Sequence, residues 1–238
     1  MSDTVIEALD AARAAYAQAT EALRLAEAAA RRTGVEVTPE AIDELTVKRI
    51  NVVEDDGTLR VVLGNSSIMR TMSVRGRSVE HPGRLPQAGL LFVNDEGTES
   101  GGLAIAGRRH EGVKEQVASL TFDDYEQNEG FQLGMLQEGS IVERFLEFSD
   151  IADWSLADLI ADVEALDDDA ARDVQERYAA RGSRASRMRL ARERDGSVRL
   201  VLRDSRGQDR LRFVVPADGE PVVEILDADG VPRSLIPD

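Results

Sequence analysis

The sequence predicts a mainly β protein, an antiparallel barrel or sheet built from hairpins, with a long N-terminal helix and a helical insertion. Three observations predict it. From about Val47 onward, apolar residues alternate with a period of two in short runs. Successive runs are joined by short acidic turns that hold a glycine. Residues 4–33 instead space their apolar positions by four and three, which is a helical period.

The N-terminal segment is rich in Ala, Glu, Leu and Arg, with Ser2 or Asp3 to cap it, Glu7 in its first turn and Gly34 to stop it. Val5, Leu9, Ala12, Tyr16, Ala19, Leu23, Ala26 and Ala30 form a strict a/d heptad register. Such a helix reaches roughly 45 Å. Its seam is close but weak, because half of those positions are alanine. It either pairs copies of the chain as a coiled coil or lies as an amphipathic helix on its own β-domain.

The β pattern then begins. "VKRINVV" meets "TLRVVLG" across Glu54–Gly57, and "LLFVN" meets "GLAIAG" across "DEGTESG". "SLTFDDY" and "GFQLGML" are joined across Glu126–Glu129, and "RMRLARE" and "VRLVLRD" across Arg194–Gly196. "RLRFVV" and "VVEIL" follow across "PADGEP", and "DADG" closes the series. Asp, Asn and Gly supply positive φ and local side-chain to backbone bonds at such places. The recurrence at 54–57, 94–97, 193–196, 216–219 and 227–230 marks a structural turn rather than a catalytic motif. None has the spaced ligands and distal Glu of a calcium loop. The 94–102 loop stands apart, since Glu99 and the pair Gly101-Gly102 exceed what a tight turn requires.

Between the β segments, Ser155 caps "LADLIADVEAL", and "DDAARDVQERYAARG" forms a second helix ended by Gly182. Residues 150–173 hold nine acids against one Arg, half of the chain's net charge of −16, and read as a solvated face. Residues 182–187 read as a linker, and 65–88 as a long polar loop with Pro82 and Pro86. The chain thus divides into the heptad-patterned helix (1–34), a first β part (45–149), an acidic helical insertion (150–182) and C-terminal hairpins (188–238).

The segments "LTVKRINVVEDDGTLRVVLGN", "GLLFVNDEGTESGGLAIAG", "SLTFDDYEQNEGFQLGML" and "RLRFVVPADGEPVVEILDADG" resemble, taken in order, an uncharacterised family of bacterial β-rich proteins. That family carries "IN-V-DGTLR", "NDEGTE-GGL" and "LTFD-YEQ" elements in the same sequence. The resemblance covers about residues 45–137 and 188–230. It implies the fold and brings no activity, cofactor or catalytic residue. The acidic insertion departs from the family pattern.

Composition narrows the function. A net charge of −16 speaks against nucleic acid and against an anionic membrane surface as partner. No cysteine is present, which excludes disulfides, thiolate nucleophiles and Cys-based zinc sites. The N-terminus has no basic stretch followed by an apolar run, so no signal peptide is expected, and the expected location is cytoplasmic. The preference for arginine over lysine, of which only Lys48 and Lys114 occur, fits a GC-rich bacterial genome.

Catalytic signals are sparse. His81 and His110 sit in polar, Arg-rich surroundings without metal-ligand spacing, and no phosphate-binding glycine loop follows a strand. No metal or cofactor is expected. The strongest constellation is "FDDYEQNE", in which Asp123 and Tyr125 share one face of a strand and Phe122 and Asp124 take the other. With Glu99, these would combine a carboxylate base with a phenolic donor.

The sequence therefore supports a non-catalytic structural or interaction protein, a dimer or trimer that self-associates through its N-terminal helix and sheet edges. The alternative is a small-molecule-binding β-barrel, a cofactor-independent isomerase or cyclase working through Glu99, Asp123 and Tyr125, with the 65–88 loop as its lid.

Overall fold

The structure, a computed structural model, describes residues 3–32, 43–80, 84 and 86–234. It divides into two compact units, Met1–Thr46 and Val47–Asp238. The first holds α1 (Asp3–Arg32), a helix of 30 residues. Of its heptad positions, Ala12, Tyr16, Ala19 and Ala26 are exposed and Ala30 is half-buried. The side chains of Val5, Leu9 and Leu23, the cap at Ser2 and the stop at Gly34 lie outside the described residues.

The second unit is one antiparallel sheet with a small polar-side superstructure. Its strands begin with β1 (Arg49–Val53) and β2 (Leu59–Gly64), followed by the separate hairpin β3 (Thr71–Val74) and β4 (Arg77–Glu80). Then come β5 (Ala88–Val93), β6 (Glu99–His110), β7 (Val113–Asp123), β8 (Glu129–Glu138) and β9 (Ile141–Asp150). Helices α2 (Leu156–Val163) and α3 (Asp168–Ala179) intervene before β10 (Ala185–Arg192) and β11 (Val198–Arg203). The sheet ends with β12 (Asp209–Val215), β13 (Val222–Leu226) and β14 (Pro232–Ser234). Among the described residues twelve strands pair in chain order, interrupted only where β2 pairs β5 around the β3–β4 hairpin.

The turns repeat one chemistry. At Asn94–Thr98, Asp204–Gln208 and Asp227–Val231 the first residue's backbone N–H and C=O bond the fifth residue's C=O and the glycine's N–H. Its side-chain oxygen also accepts from two N–H groups inside the turn. Glu54–Thr58 and Glu193–Ser197 have the same backbone pair. The turn at 204–208 belongs to this set, although it is not among the five acid-plus-glycine turns picked out in the sequence.

Three sequence expectations are corrected. Of the barrel or sheet that the sequence predicts, the antiparallel sheet is what forms and the barrel is not, because β1 and β14 are left as two edges. An eight-stranded barrel is about as wide as side chains can fill, and twelve strands would enclose a lumen too wide for this chain's Leu-sized residues. Residues 65–88 are not one long loop, since the β3–β4 hairpin occupies 71–80 and turns at Arg75 and Gly76 with φ of 47° and 75°. The supposed linker 182–187 already contains the start of β10, where Ala185 pairs with Asp150 across the helical insertion.

Strand alternation gives the two faces opposite characters. Cross-strand pairing aligns Ile50, Leu63, Leu90, Leu103, Leu120, Leu133, Leu146, Leu190, Leu200, Phe213 and Val223 in one unbroken apolar row. A parallel row carries Phe92, Phe122, Phe131 and Phe148, whose rings follow one another at 6.2, 5.6 and 5.2 Å. Leu133, near the middle of the sheet, is 50% exposed, and Leu103 and Leu190 are each 44% exposed.

The opposite face is polar. Arg189 pairs with Glu147 at 2.7 Å and with Glu143, and Arg212 pairs with Glu224 at 3.1 Å. Phe145 lies over Gly134, where a Cβ would meet its ring at 2.4 Å, and Arg189 stacks on that ring at 4.4 Å. Toward β2, β5 and β6 this face carries the buried cluster of Val62, Met69 and Leu91.

Candidate functional site

Two places in the second unit hold chemistry that packing alone does not explain: a cavity on the polar face and the bare apolar face.

The cavity is made by backbone irregularities. The β5–β6 register slips between Leu91 and Val93, so that Glu99 pairs with Val93 and Gly102 with Leu91. Bulges of this kind re-aim side chains. Here the slip moves Glu99 off the Leu103 face and into the cavity with Gly102 and Thr121. Gly101 absorbs the kink at φ 121°, and its position admits no Cβ, which would stand 2.3 Å from the Thr121 carbonyl oxygen. A second slip between Phe122 and Asp123 pairs Asp123 with Glu129, and both line the same space. Met69, Met72 and Val74 enclose it from the hairpin side, Leu156 and Ala157 from α2. The volume is about 180 Å³.

Within it, Arg84 pairs with Glu99 and also donates to the Thr71 carbonyl at 3.0 Å. The Asp123 carboxyl is pushed up to about 7, first by burial and then by the neighbouring Glu99 and Glu129 carboxylates, against a smaller pull from Arg84. A carboxyl poised there can give or take a proton near neutrality. Thr98 and Gln127, both buried, add polar lining.

Beside the cavity, Glu126 ties three elements together. It is 5% exposed and occupies the left-handed region at φ 49°, unusual for a side chain of its size. Arg75, itself at φ 47°, donates to both of its carboxylate oxygens at 2.6 Å. Ser155 donates to it at 2.6 Å while its own oxygen caps α2 by accepting from the Asp158 N–H. The Leu156 N–H bonds the Glu126 carbonyl at 2.7 Å. The Arg75 hydrogen bonds hold the Glu126 carboxyl below its ordinary range, with Ser155 adding to the effect.

The structure unites only two of the three sequence candidates. Glu99 and Asp123 face the cavity, and Phe122 takes the opposite face as expected. Tyr125 does not join them. The strand ends at Asp123, and Tyr125 lies in the Asp124–Asn128 turn, 67% exposed, donating its hydroxyl to Glu96. Tyr125→Phe should therefore change stability by less than about 0.5 kcal/mol in a urea titration. Arg84, Arg75 and Glu126 escaped the sequence reading. The glycine pair at 101–102 was the one legible sign of the bulge that builds the cavity.

Among the described residues no group of three or more His, Cys, Asp or Glu could hold a metal ion. His110 is exposed at the end of β6, and His81 lies outside the described residues. No helix among the described residues is long and apolar enough to cross a membrane. Compared with family models, with curated proteins and with solved structures, the chain finds no match in any of the three.

Proposed function

We propose that this chain is a non-catalytic structural or interaction protein that self-associates. One observation carries the reading: an apolar row runs through eleven neighbouring strands, and Leu103, Leu133 and Leu190 within it are close to half exposed. Exposed apolar area on this scale marks an interaction surface. The α1 seam offers a second route to association, as its heptad register suggests. The edges are poorer candidates, because β14 is three residues long and opens with Pro232, and β1 is bulged between Val52 and Val53.

The test is absolute mass by light scattering, for the full chain and for a chain beginning at Val35. The full chain should run at a multiple of its 26.0 kDa. If the shortened chain stays associated, the contact lies in the sheet. If it falls to a single copy, the contact lies in the helix. A full chain that is monomeric at every concentration overturns the reading.

A second reading, small-molecule binding in the polar-face cavity, is favoured by the Asp123 carboxyl poised near neutrality beside the Arg84–Glu99 pair. It does not need a closed barrel. A thermal-shift screen supports it only if a compound stabilises the wild type and not Asp123→Asn.

A further inference from the structure

We infer that a second copy of this chain covers the apolar face, the two sheets packing face to face as the halves of a sandwich. The inference rests on the self-association proposed above and names its surface.

Size is the first argument. At about 4.8 Å between strands the central row runs roughly 50 Å across the sheet, and with the phenylalanine row on one side and a marginal row of Ala88, Ile105, Ala118, Met135, Val198 and Val215 on the other the band is roughly 17 Å tall over most of that width. The product, roughly 850 Å², matches the ~800 Å² that each partner of a stable complex buries. It exceeds the roughly 300–600 Å² that an ordinary monomer leaves bare.

Shape is the second. A helix about 10 Å across would cover little more than half of the band's height. A second sheet, stacked about 10 Å away and turned by about 30°, covers all of it. A two-fold pairing is isologous, so each residue need only suit its own face.

Charge is the third. The chain's net −16 would oppose pairing if it lay on this surface. Through β2 to β13, however, the three apolar rows contain only two charged side chains, Arg144 and Arg192, paired with each other in the marginal row. Leu133 and Leu146, opposite one another on the two middle strands, sit near the centre of any such pair.

The decisive experiment uses the wild-type full chain. Equal parts of methyl-labelled and unlabelled protein are mixed, unfolded and refolded together, and contacts between copies are read by isotope-filtered NMR. The expected result is a mass of twice 26.0 kDa, with cross-copy contacts from the methyl groups of Leu133 and Leu146. Leu133→Glu combined with Leu146→Glu should run as a single copy while keeping its β-sheet circular dichroism. If that variant does not fold, the labelled mixture decides alone. A wild-type trimer, or a dimer whose cross-copy contacts are confined to α1, overturns this inference and leaves self-association standing. A wild-type monomer, its face bare or covered by its own helix, overturns both.

Discussion

Glu126→Ala should destabilise the second unit by about 2–4 kcal/mol in urea unfolding at neutral pH. Removing one partner of a buried charge pair is costly because it strands the other. Here Arg75 is about half exposed and keeps its second carboxylate partner, Asp158 at 2.8 Å, which holds the loss toward the lower end of that range. The Ser155 hydroxyl also loses its acceptor, but the cap on Asp158 survives. The damage should thus appear as faster hydrogen exchange at the Leu156 N–H, whose carbonyl partner belongs to Glu126. Glu126→Gly should lose less, since glycine relieves the cost of φ 49°. If both variants unfold at the wild-type midpoint, the tie between hairpin, β7–β8 turn and α2 is ornamental. Acid reports on the same tie. Because the folded carboxyl is held low, its stabilisation is complete above the ordinary Glu range and disappears as pH falls through the lowered folded value.

Asp123→Asn should act in the opposite direction, stabilising the protein at pH 8 by about 2–4 kcal/mol and leaving it nearly unchanged at pH 4. The folded carboxyl sits near 7 and the unfolded one near 3.8, so between those values the folded state holds the extra proton. Wild-type stability then falls as pH rises through that window and levels off above it. The neutral amide removes the charge that burial and the Glu99 and Glu129 carboxylates penalise. Urea midpoints for both proteins across pH 4 to 8 check this, and parallel curves would mean that Asp123 ionises normally. A group that costs stability at neutral pH is what a working proton donor or acceptor looks like, so this measurement also weighs the cavity reading.

Strands and turns were legible because their chemistry is local. Asn94 and Asp227 reach only as far as their own turn, and Ser155 only to the next turn of its helix. The β3–β4 hairpin was hidden because its strands are four residues long and its turn, Arg75-Gly76, lacks the acid that marks the others. Tyr125 was misplaced for a related reason. The turn beyond Asp123 has no glycine, and Glu126 takes the left-handed conformation in its stead. The site depends on longer-range facts. Arg75 and Glu126 stand 51 residues apart, and Glu99 enters the cavity only because a bulge reverses its parity. Period-two alternation announces an apolar face, yet what covers that face is a matter of assembly.

Ten of the eleven pairings in the sheet join strands that are consecutive in the chain. Contacts are therefore close in sequence for a β protein, and loop-closure entropy slows folding less than in a Greek key or a sandwich of distant strands. Any hairpin can serve as a seed and recruit the next strand, as in repeat proteins whose stability is a sum of neighbour terms. The unfolding order expected of this wiring is fraying inward from β1 and β14 with the β8–β9 centre last to open, which amide hydrogen exchange would read strand by strand. A chain with this wiring can gain or lose a terminal hairpin without redrawing the pairing of the rest.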